Sequence, residues 1–596
     1  MCGYLGTITK NKIEKGSIIE SNKCQICRGP DETKFSSGVF KNSEFNFNLI
    51  FNRLAIIDLS QSASQPMYSE EFSTYIVFNG EIYNHIELRK ELEKIAYFQS
   101  SHSDTEVVLI GLSIYGAEFI NRLKGQFSIV FLDLINQKVL LSRDRLGQKP
   151  LFYSLSNNEL IFSTNLKSVY KMRKSNEIDE IQLNNYLNFG VIPSPYTLFK
   201  NIHKIKPATV KIFSLDNDLK IEKEYDYWKI KSFVGNNEFS MSEFRDKFLK
   251  SLELRMISDV PVSTFLSGGL DSTSIVKGLK EIKSEVNTFS VVHSSAKYDE
   301  RTWINQVVNK YKTNHFEVEI ENKLEEHVFD AINSLDEVYA DPSIVPSYSL
   351  AKKISENFKV AISGDGGDEL LAGYSRFQNS LIKKNLIENY ISKLYYLYPA
   401  YLGSGSKFLM KSKDSAISYF ATLEDKKLMK ILNLKSLNNL NTLFASNEQN
   451  IYKNLMLKEY NFFLSEMMLL KVDRTSMANS VEVRSPFIDH ELVEYFLSTD
   501  VDKYMLSNPK SFLKKYLSED FDESFLNRKK MGFSFNTEEW VYNNLITIRK
   551  IINSGEVVKN IDKNIISKLS IVKTRINSHR IWKLLVLECY LKSLKS

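Results

Sequence analysis

Two stretches of the sequence contain candidate catalytic or ligand-binding residues, and the first is a glycine-rich turn, SGGLDS, at residues 267–272. An apolar run from Val262 to Leu266 predicts a strand before it, and the periodicity of Ile275 to Ile282 predicts a helix after it. This order presents free backbone N–H groups and the positive end of a helix to an anion, and Asp271 could hold Mg²⁺ beside a phosphate. An ordinary strand-to-helix turn is the alternative reading of two adjacent glycines.

The second stretch is the N-terminus, where Cys2 would become the first residue on removal of Met1. Its thiol would then lie beside its own α-amino group, whose reference pKa of about 8 suits a general base. Later segments supply partners for glutamine hydrolysis: Arg53 could grip an α-carboxylate, Asp104 could pair an α-ammonium, and Asn79-Gly80 could hold an oxyanion. The alternative interpretation of a single cysteine near the N-terminus is a buried structural thiol.

Two kinds of sheet must position these residues. Alternating apolar residues at 127–134 and 138–142 predict antiparallel strands in the N-terminal part. Strand and helix signals alternate from 286 to 362, which predicts a parallel, doubly wound sheet that binds ligands at the carboxyl ends of its strands. A second turn rich in glycine and aspartate, SGDGGDE at residues 363–369, would bring more carboxylates to the same edge.

The composition is that of a globular protein with more than one domain. Its 596 residues exceed the ~250–300 at which single cores stop growing, and 43% are hydrophobic and 25% charged. The net charge of +6 is small, and no basic stripe indicates a nucleic-acid partner. No apolar run approaches the ~18 residues of a membrane span, and the first residues lack signal-peptide features. Four cysteines do not make a disulfide framework, so we expect a cytoplasmic protein.

A family resemblance covers nearly the whole chain. The motifs CGYLG, RGPD, NRLAIID, NGEIYNH, SDTE, GQFSIVFLD and RDRLGQKPLFY resemble the class II glutamine amidotransferase domain of glutamine-hydrolysing asparagine synthetase. SGGLDS resembles the pyrophosphate loop of the ATP pyrophosphatase superfamily, and the absence of a P-loop Gly-Lys-Ser/Thr ending favours cleavage at the α-phosphate. Residues 471–489, 528–533 and 580–585 resemble the asparagine synthetase C-terminal domain. Charges in 471–489 alternate with small and apolar residues, which predicts buried ion pairs.

The resemblance implies two domains. Residues 1–205 would form a four-layer αββα domain with an N-terminal nucleophile, and residues 206–596 a doubly wound parallel α/β ATP-pyrophosphatase domain with added helices. Residues 190–230, which contain several prolines, are predicted to connect them, and 379–461 are predicted to be helical. The implied reaction transfers the glutamine amide nitrogen to a carboxylate, foremost aspartate, with release of glutamate, AMP and pyrophosphate and with ammonia passing through an internal tunnel.

The family's functional residues carry over to matching positions of this sequence. The implied catalytic residues are Cys2, Asn79, Gly80, Asp365 and Lys530. The implied glutamine-binding residues are Arg53, Leu54, Ala55, Ile56, Ile57, Asn79, Gly80, Glu81 and Asp104. The implied ATP-binding residues are Leu266, Ser267, Gly268, Gly269, Asp271, Ser272, Val291, Ser363 and Gly364. Asp271 and Asp368 are the implied Mg²⁺ ligands, so ATP as a substrate and Mg²⁺ are expected.

Three positions depart from the family pattern. Cys27 stands where the family has histidine and pairs with Cys24, but no second ligand pair is visible, so incidental loop residues are favoured over a zinc or redox role. Residues 164–167 replace a Ser-Glu-x-Lys pattern, which bears on domain coupling. Residues 289–292 replace Phe-Ser-x-Gly, which bears on the shape of the adenine pocket.

Other functions stay open at this level. A tRNA-modifying pyrophosphatase would share SGGLDS but would need a basic RNA-binding face, and the N-terminal glutaminase motifs count against it. A non-catalytic homologue would have lost Cys2, Asp271 or Lys530, and all three are present. Relatives of this fold amidate other carboxylates, including uronic-acid sugars and cell-wall peptides, so the motifs do not determine the acceptor. We expect small-molecule substrates, no nucleic-acid partner and no membrane partner, and a homodimer remains open.

Overall fold

The first part of the chain is built from antiparallel strands. The structure is a computed structural model that describes residues 2–156, 158–173, 177–283, 285–292, 300–319, 326–434, 450–501, 505, 508–528, 535–555 and 557–595. The N-terminal strands are β1 (Gly3–Thr9), β2 (Glu32–Val39), β3 (Asn46–Arg53), β4 (Met67–Ser69), β5 (Thr74–Ile82), β6 (Gly125–Asp133), β7 (Lys138–Arg143), β8 (Phe152–Ser156), β9 (Glu159–Ser163), β10 (His203–Lys204), β11 (Thr209–Ser214) and β12 (Lys220–Asp226).

These strands form two six-stranded sheets, in the orders β10-β8-β9-β1-β3-β2 and β12-β11-β7-β6-β5-β4. The helices that flank them are α1 (Lys15–Asn22), α2 (His85–Leu92), α3 (Asp104–Tyr115), α4 (Leu166–Met172) and α5 (Glu180–Phe189). Tyr4 packs in the core between the sheets, whereas the next residue, Leu5, packs against the helices outside. Because successive strand residues face opposite sides and both sides are covered, all of β1 is buried. The predicted four-layer αββα arrangement is confirmed.

The second part is organised around a five-stranded parallel sheet of order β15-β14-β13-β16-β17. Its strands are β13 (Val262–Phe265), β14 (Asn287–Val292), β15 (Asn314–Glu319), β16 (Val360–Ile362) and β17 (Glu482–Arg484). Its crossover helices are α6 (Met241–Arg255), α7 (Leu270–Ile282), α8 (Arg301–Tyr311), α9 (Val328–Asn333), α10 (Ile344–Ile354) and α11 (Gly367–Leu370). Ile275 of α7 and Leu350 of α10 lie in separate cores on its two faces, as in a doubly wound sheet.

The remaining chain is helical. The further helices are α12 (Ser375–Leu381), α13 (Leu386–Lys393), α14 (Ser406–Leu409), α15 (Ser415–Phe420), α16 (Lys426–Ile431), α17 (Ile451–Lys458), a π-helix (Glu459–Met468), α18 (Leu469–Met477), α19 (His490–Ser498), α20 (Ser511–Leu517), α21 (Glu523–Leu526), α22 (Thr537–Asn543), α23 (Leu545–Ser554), α24 (Val558–Asp562), α25 (Ile565–Ser570) and α26 (Arg575–Ser593). Within 379–461, the described residues bear out the prediction of helices.

The prediction that residues 190–230 only connect the domains was wrong. This stretch contains β10, which pairs with β8, and β11, which pairs with β7. Its Gly190 ends α5, Pro193 and Pro195 lie between α5 and β10, and Pro207 lies in the turn between β10 and β11. The second sheet therefore continues to Asp226, past the boundary at residue 205 expected from the motifs.

Two expectations about loops and surfaces can also be compared with the structure. Cys24 and Cys27 lie on a short 3₁₀-helix, Lys23–Arg28, and all four cysteines are free. In the part of the chain that the structure describes, no three or more His, Cys, Asp or Glu side chains are grouped so that they could hold a metal ion. Within that part, no helix combines the length and the apolar character that crossing a bilayer requires.

Two candidate active sites and the interface between them

A small cavity in the N-terminal domain collects most of the residues predicted to bind glutamine. Its walls come from the start of β1, the end of β3, β5 and the start of α3. The lining residues are Cys2, Arg53, Leu54, Ile56, Ile57, Ala63, Gln65, Phe78, Gly80, Glu81, Ser103, Asp104 and Thr105. Two predicted residues are not in this set: Ala55 donates its N–H to Asp31 at 2.7 Å, and Asn79 contacts Cys2.

Cys2 is buried at one end of this cavity, with 8% of its surface exposed. Its backbone N–H donates to Asn79 Oδ1 at 2.9 Å, so the predicted nucleophile and the predicted oxyanion donor are in contact. Burial raises the pKa of the Cys2 thiol. The thiol is therefore protonated at neutral pH and needs a base before it can attack.

Gly80 lies where the backbone of β5 comes very close to its neighbour β6. A Cβ atom at this position would be 2.0 Å from the carbonyl oxygen of Gln126, and φ is +155°. No other residue fits without displacing the strand. The glycine therefore allows β5 to approach β6 this closely beside the cavity, where its N–H is a candidate oxyanion donor.

Charged side chains of both signs line the same cavity. The guanidinium of Arg53 is fixed by donating to the carbonyl oxygens of Ser60 at 2.9 Å and Asp58 at 2.5 Å. Asp104 accepts the N–H of Ile82 at 3.0 Å, and burial raises its pKa. These groups can pair the carboxylate and the ammonium of an amino acid.

Glu81 is the second buried carboxylate of this cavity. Burial and the nearby Glu482 raise its pKa, and Arg484, whose Nη2 lies 3.4 Å from Glu81 Oε1, opposes the shift. Its other oxygen is buried and has no hydrogen-bond partner among the residues that the structure describes. An ammonium group bound here would satisfy that oxygen.

The second candidate site lies at the carboxyl edge of the parallel sheet, where the two glycine-rich turns meet. Within the first turn, the N–H of Ser267 donates to Ser272 Oγ at 3.2 Å, and the N–H of Gly269 donates to Ser267 Oγ at 3.3 Å. Gly268 has φ of +65°, which glycine adopts without strain. The N–H of Leu266 donates to the carbonyl oxygen of Phe289 at 2.7 Å, which fixes the turn to β14.

The two predicted metal ligands come together at this edge. Lys510 forms ion pairs with both Asp271 and Asp368, the second at 2.7 Å. A Cβ atom on Gly367 would lie 2.7 Å from Asp271 Oδ1, so the two turns are in contact. Although burial alone would lower the pKa of Lys510, the two carboxylates raise it. Two adjacent carboxylates suit Mg²⁺, which takes one or two of them together with phosphate oxygens.

The remaining predicted nucleotide residues surround these turns. Ser363 Oγ lies 2.7 Å from Ser485 Oγ, and Gly364 follows it directly. Asp365 is half-buried in the second turn, and Val291 is half-buried on β14. Lys530 lies outside the described residues.

Sequence reasoning missed two lysines. Lys510 carries no local signal, because its partner Asp271 is 239 residues away. Lys471 begins one of the quoted motifs, but its burial could not be inferred: only 8% of its surface is exposed, and in the described chain it forms no ion pair. It is the third residue of α18, the helix that continues from the π-helix, and π-helical segments are found often at functional sites. A buried unpaired lysine is itself a candidate anion contact.

A buried charge network joins the two domains. Arg28 of the N-terminal domain forms a two-point ion pair with Asp473, at 2.9 and 3.2 Å. Lys149 lies 3.8 Å from the same carboxylate, and Arg474 links Asp473 to Asp336. Although burial alone would raise the pKa of Asp473, these cations hold it below its usual range. The ion pairs predicted for the 471–489 segment are therefore confirmed, and they lie at the interface.

A single residue, Arg484, contacts both candidate sites. Its side chain lies 3.4 Å from Glu81 in the glutamine cavity and 2.5 Å from Glu482. Its carbonyl oxygen accepts the N–H of Ser363, the first residue of the second turn, at 2.9 Å. The short strand β17 thus contacts both sites.

A second small cavity lies between the sites. Its lining residues are Gln126, Gln148, Lys149, Leu469, Val472, Asp473, Ser476, Val483 and Ser485. Gln126 pairs with Glu81 in the β5–β6 register, and Ser485 contacts Ser363 at 2.7 Å. The cavity therefore borders residues of both sites.

The chain matches known proteins along its whole length. The family described as asparagine synthase matches residues 243–592, and the glutamine amidotransferase domain matches residues 1–228. "Asparagine synthetase [glutamine-hydrolyzing] 1" of Bacillus subtilis is 31% identical, covering 98% of this chain and 96% of its own length. "Asparagine synthetase [glutamine-hydrolyzing] 3" of the same organism is 29% identical over 89% of this chain and 87% of its own.

Two further likenesses are more distant. "Amidase chyE" of Penicillium rubens is 27% identical over 78% of this chain and 76% of its own. A solved structure of the allosteric regulatory enzyme of purine biosynthesis aligns over 48% of this chain and 64% of its own, at 15% identity and a TM-score of 0.29, too low to carry an argument. On the two matched domains and the relatives that align from end to end, the chain belongs to the glutamine-hydrolysing asparagine synthetase family.

Proposed function

We propose that this enzyme, an ATP-dependent amidating enzyme that uses glutamine, amidates free aspartate and releases asparagine, glutamate, AMP and pyrophosphate. The observation that carries the proposal is the pairing of two sites in one chain. One is a cavity holding Cys2 and charges of both signs, and the other is a pair of anion-binding turns with two carboxylates. A single interface residue, Arg484, contacts both.

In the first site, the Cys2 thiolate would attack the glutamine side-chain amide and expel ammonia, and water would then hydrolyse the resulting thioester to release glutamate and restore the thiol. After removal of Met1, the free α-amino group would take the thiol proton and pass it to the departing ammonia. Asn79 accepts the N–H of Cys2 through its Oδ1 at 2.9 Å, and its Nδ2 has only a long contact, 3.5 Å, to Ser128. That Nδ2 and the N–H of Gly80 are the proposed oxyanion donors. Arg53, with Glu81 and Asp104, would hold the amino-acid end.

In the second site, the acceptor carboxylate would attack the α-phosphate of ATP to form an acyl-adenylate, and ammonia would then displace AMP. Asp271 and Asp368 are the residues that would hold Mg²⁺, which when bound would neutralise the pyrophosphate. The Ser267–Ser272 turn would donate N–H and hydroxyl groups to phosphate oxygens. Asp365 would position the acceptor or take a proton from ammonia, and Lys530 stays the predicted contact to the leaving group.

Ammonia would cross through the cavity between the domains. That cavity borders Gln126, beside the Glu81 strand, and Ser485, beside Ser363. Lys149 and Asp473 lie on its wall, and burial lowers the pKa of Lys149. A closed route would keep ammonia from being protonated and diluted in solvent.

We place the acceptor in a cavity of about 410 Å³ that is lined by the loop before α10, the π-helix and α26. Because α10 leads directly into β16 and runs back along it, the loop before α10 lies at the carboxyl edge of the sheet. Phe463 on the cavity wall packs against Tyr374, whose hydroxyl donates to Glu369 in the second turn at 2.8 Å. The cavity is thus next to the candidate nucleotide site.

The charges of this cavity suit a free amino acid. Asp341 could pair an α-ammonium, and Arg575 and Lys583 could pair carboxylates. Burial lowers the pKa of His579 to about 4, so it is neutral at pH 7. A sugar acid has no ammonium group and would leave Asp341 desolvated and unpaired, which penalises it strongly.

A second acceptor class is favoured by one finding. Two fungal relatives are named amidases, "Amidase chyE" and "Amidase chry2", and not asparagine synthetases. The alternative function is therefore amidation of another carboxylate, such as a uronic-acid sugar or a cell-wall peptide, by the same two-site chemistry.

The deciding experiment offers L-aspartate, uronic-acid nucleotide sugars and peptide carboxylates separately, with glutamine and ATP, and measures pyrophosphate and the amidated product. We expect aspartate at millimolar concentration to stimulate both. Asp341→Asn and Arg575→Gln should raise the KM for aspartate about tenfold or more, whereas Lys573→Gln, an exposed neighbour outside the cavity, should not. Stimulation by another carboxylate but not by aspartate would establish the alternative.

A further inference from the structure

A cavity of about 760 Å³ lies across the domain interface, away from both candidate sites. One wall comes from α1, the following 3₁₀-helix and α4 of the N-terminal domain, and the other from α9, α23 and α26. None of the residues assigned to glutamine, nucleotide or acceptor lines it. Its volume lies within the ~300–1,000 Å³ typical of small-molecule sites.

The charge of this cavity is strongly positive. Lys23, Lys167, Lys171 and Lys592 line it, and Glu20 is the one carboxylate among its described lining residues. Glu20 is already paired with Lys23, 2.6 Å away. Neither Lys171 nor Lys592 has an ion pair within the described part of the chain. Such an excess of like charge around one concavity attracts anions.

The cations run from the rim of the cavity to its floor. Lys23 and Lys592 are exposed, Lys171 is half-buried, and Lys167 has only 9% of its surface exposed. Lys167 Nζ donates to the carbonyl oxygen of Asn333 at 3.1 Å, and burial lowers its pKa. An anion bound beside it would offset the cost of burying this charge.

Apolar side chains complete the wall. Phe329 of α9 and Ile551 of α23 line the cavity on the side of the C-terminal domain. An aromatic and an aliphatic surface beside clustered lysines suits a ligand with a ring and an anionic end. Lysine ammonium groups bind phosphate as point charges and need no fixed orientation.

We propose that this cavity is a second ligand site, which binds a small phosphorylated metabolite through Lys171, Lys592 and Lys167 and packs its ring against Phe329 and Ile551. The site bridges the two domains, so its ligand stabilises their docking. It is independent of which carboxylate the enzyme amidates.

The cysteines of the cavity provide a local readout. Cys24 and Cys589 line it, whereas Cys27 is exposed outside it. The experiment treats the full-length enzyme with iodoacetamide in the presence of a hexose phosphate or uridine monophosphate and measures alkylation of each cysteine by peptide mass spectrometry. The unphosphorylated hexose and uridine serve as controls, and the thermal unfolding midpoint is measured in parallel.

We expect the phosphorylated compounds to slow alkylation of Cys24 and Cys589, to leave Cys27 unchanged and to raise the unfolding midpoint. The double variant Lys171→Gln/Lys592→Gln should weaken protection at least about tenfold. The control variant Lys550→Gln, which changes an exposed lysine of α23 outside the cavity, should keep the full protection. Absence of protection by both phosphorylated compounds, equal protection by their parents, or undiminished protection in the double variant would overturn the proposal.

Discussion

The two candidate active sites differ in how their residues are held. In the glutamine cavity, Arg53 and Gly80 lie on strands, and Asp104 begins a helix, so the backbone fixes the groups before a ligand arrives. In the nucleotide site, Asp271 and Asp368 lie in the first turns of α7 and α11, and both are paired with Lys510. A metal–nucleotide complex must therefore compete with that lysine. We therefore expect the second site, but not the first, to rearrange when its ligand binds.

The largest expected effect separates the two sites by removing the nucleophile. Cys2→Ala should lower glutamine hydrolysis and glutamine-driven synthesis at least about 10⁴-fold, because no other thiol lines the cavity. Synthesis driven by free ammonium should remain within about twofold, since the nucleotide site is untouched. Steady-state assays with each nitrogen source provide the measurement. Equal loss of both activities in a folded variant would contradict two separate sites.

The converse change removes charge from the nucleotide site. Asp271→Asn should lower synthesis about 10³-fold with either nitrogen source, because it removes one of two adjacent carboxylates proposed to hold Mg²⁺. Glutamine hydrolysis should change less than about twofold. Asp246→Asn, on the exposed face of α6, is the matched control. Unchanged synthesis, or ADP found in place of AMP, would refute the assignment of this turn.

A smaller effect is expected from the residue that joins the sites. Arg484→Met leaves Glu81 and Glu482 buried without their cation, so the free energy of unfolding should fall by about 3 kcal/mol. Urea unfolding measures this, with the exposed Arg549→Met as a control that should change it by less than about 0.5 kcal/mol. A similar small change in both variants would show that Arg484 is dispensable at the interface.

The smallest expected effect is a pH dependence of protein stability that is caused by Lys583 in the proposed acceptor cavity. Burial lowers the pKa of Lys583 to about 8 from its ordinary 10.5. Between these values the unfolded chain binds more protons than the folded one, so stability rises with pH. From pH 8 to 10, this lysine should add about 1–2 kcal/mol to the free energy of unfolding, relative to Lys583→Met. If the difference in the free energy of unfolding between the unchanged protein and Lys583→Met stays constant from pH 8 to 10, Lys583 is not desolvated.

Much of the candidate glutamine cavity could be predicted from the sequence, and the candidate nucleotide site only in part. The cavity residues not among the predicted binding residues are Ala63, Gln65, Phe78, Ser103 and Thr105. Arg53, Gly80 and Asp104 occur in short motifs whose strands and helix start are themselves predictable. Lys510 could not be found, because an isolated lysine after Asn508-Pro509 has no pattern and acts on carboxylates far away in the chain. Arg484 was predicted to be in a buried ion pair, but its contact with Glu81 depends on how the domains dock.

In the fold as well, elements with a local sequence pattern were predicted, whereas pairings between distant segments were missed. Four strands of the parallel sheet, β13 to β16, were predicted from alternating strands and helices, whereas β17 was missed because three residues within the charged segment 471–489 carry no strand pattern. The strands within 190–230 were missed because their pairing partners, β7 and β8, lie in other parts of the chain. Prolines in the loops between them favoured a linker instead.

The central claim, that one chain passes nitrogen directly from the first site to the second, is tested most directly by isotope competition. The enzyme is given glutamine labelled with heavy nitrogen in its amide, together with ATP, the acceptor and an excess of unlabelled ammonium. We expect the amide of the product formed with glutamine to carry mostly heavy nitrogen, because the proposed route of ammonia leads through the cavity bordered by Gln126 and Ser485. A product whose label is diluted to the ratio in bulk solvent would contradict it.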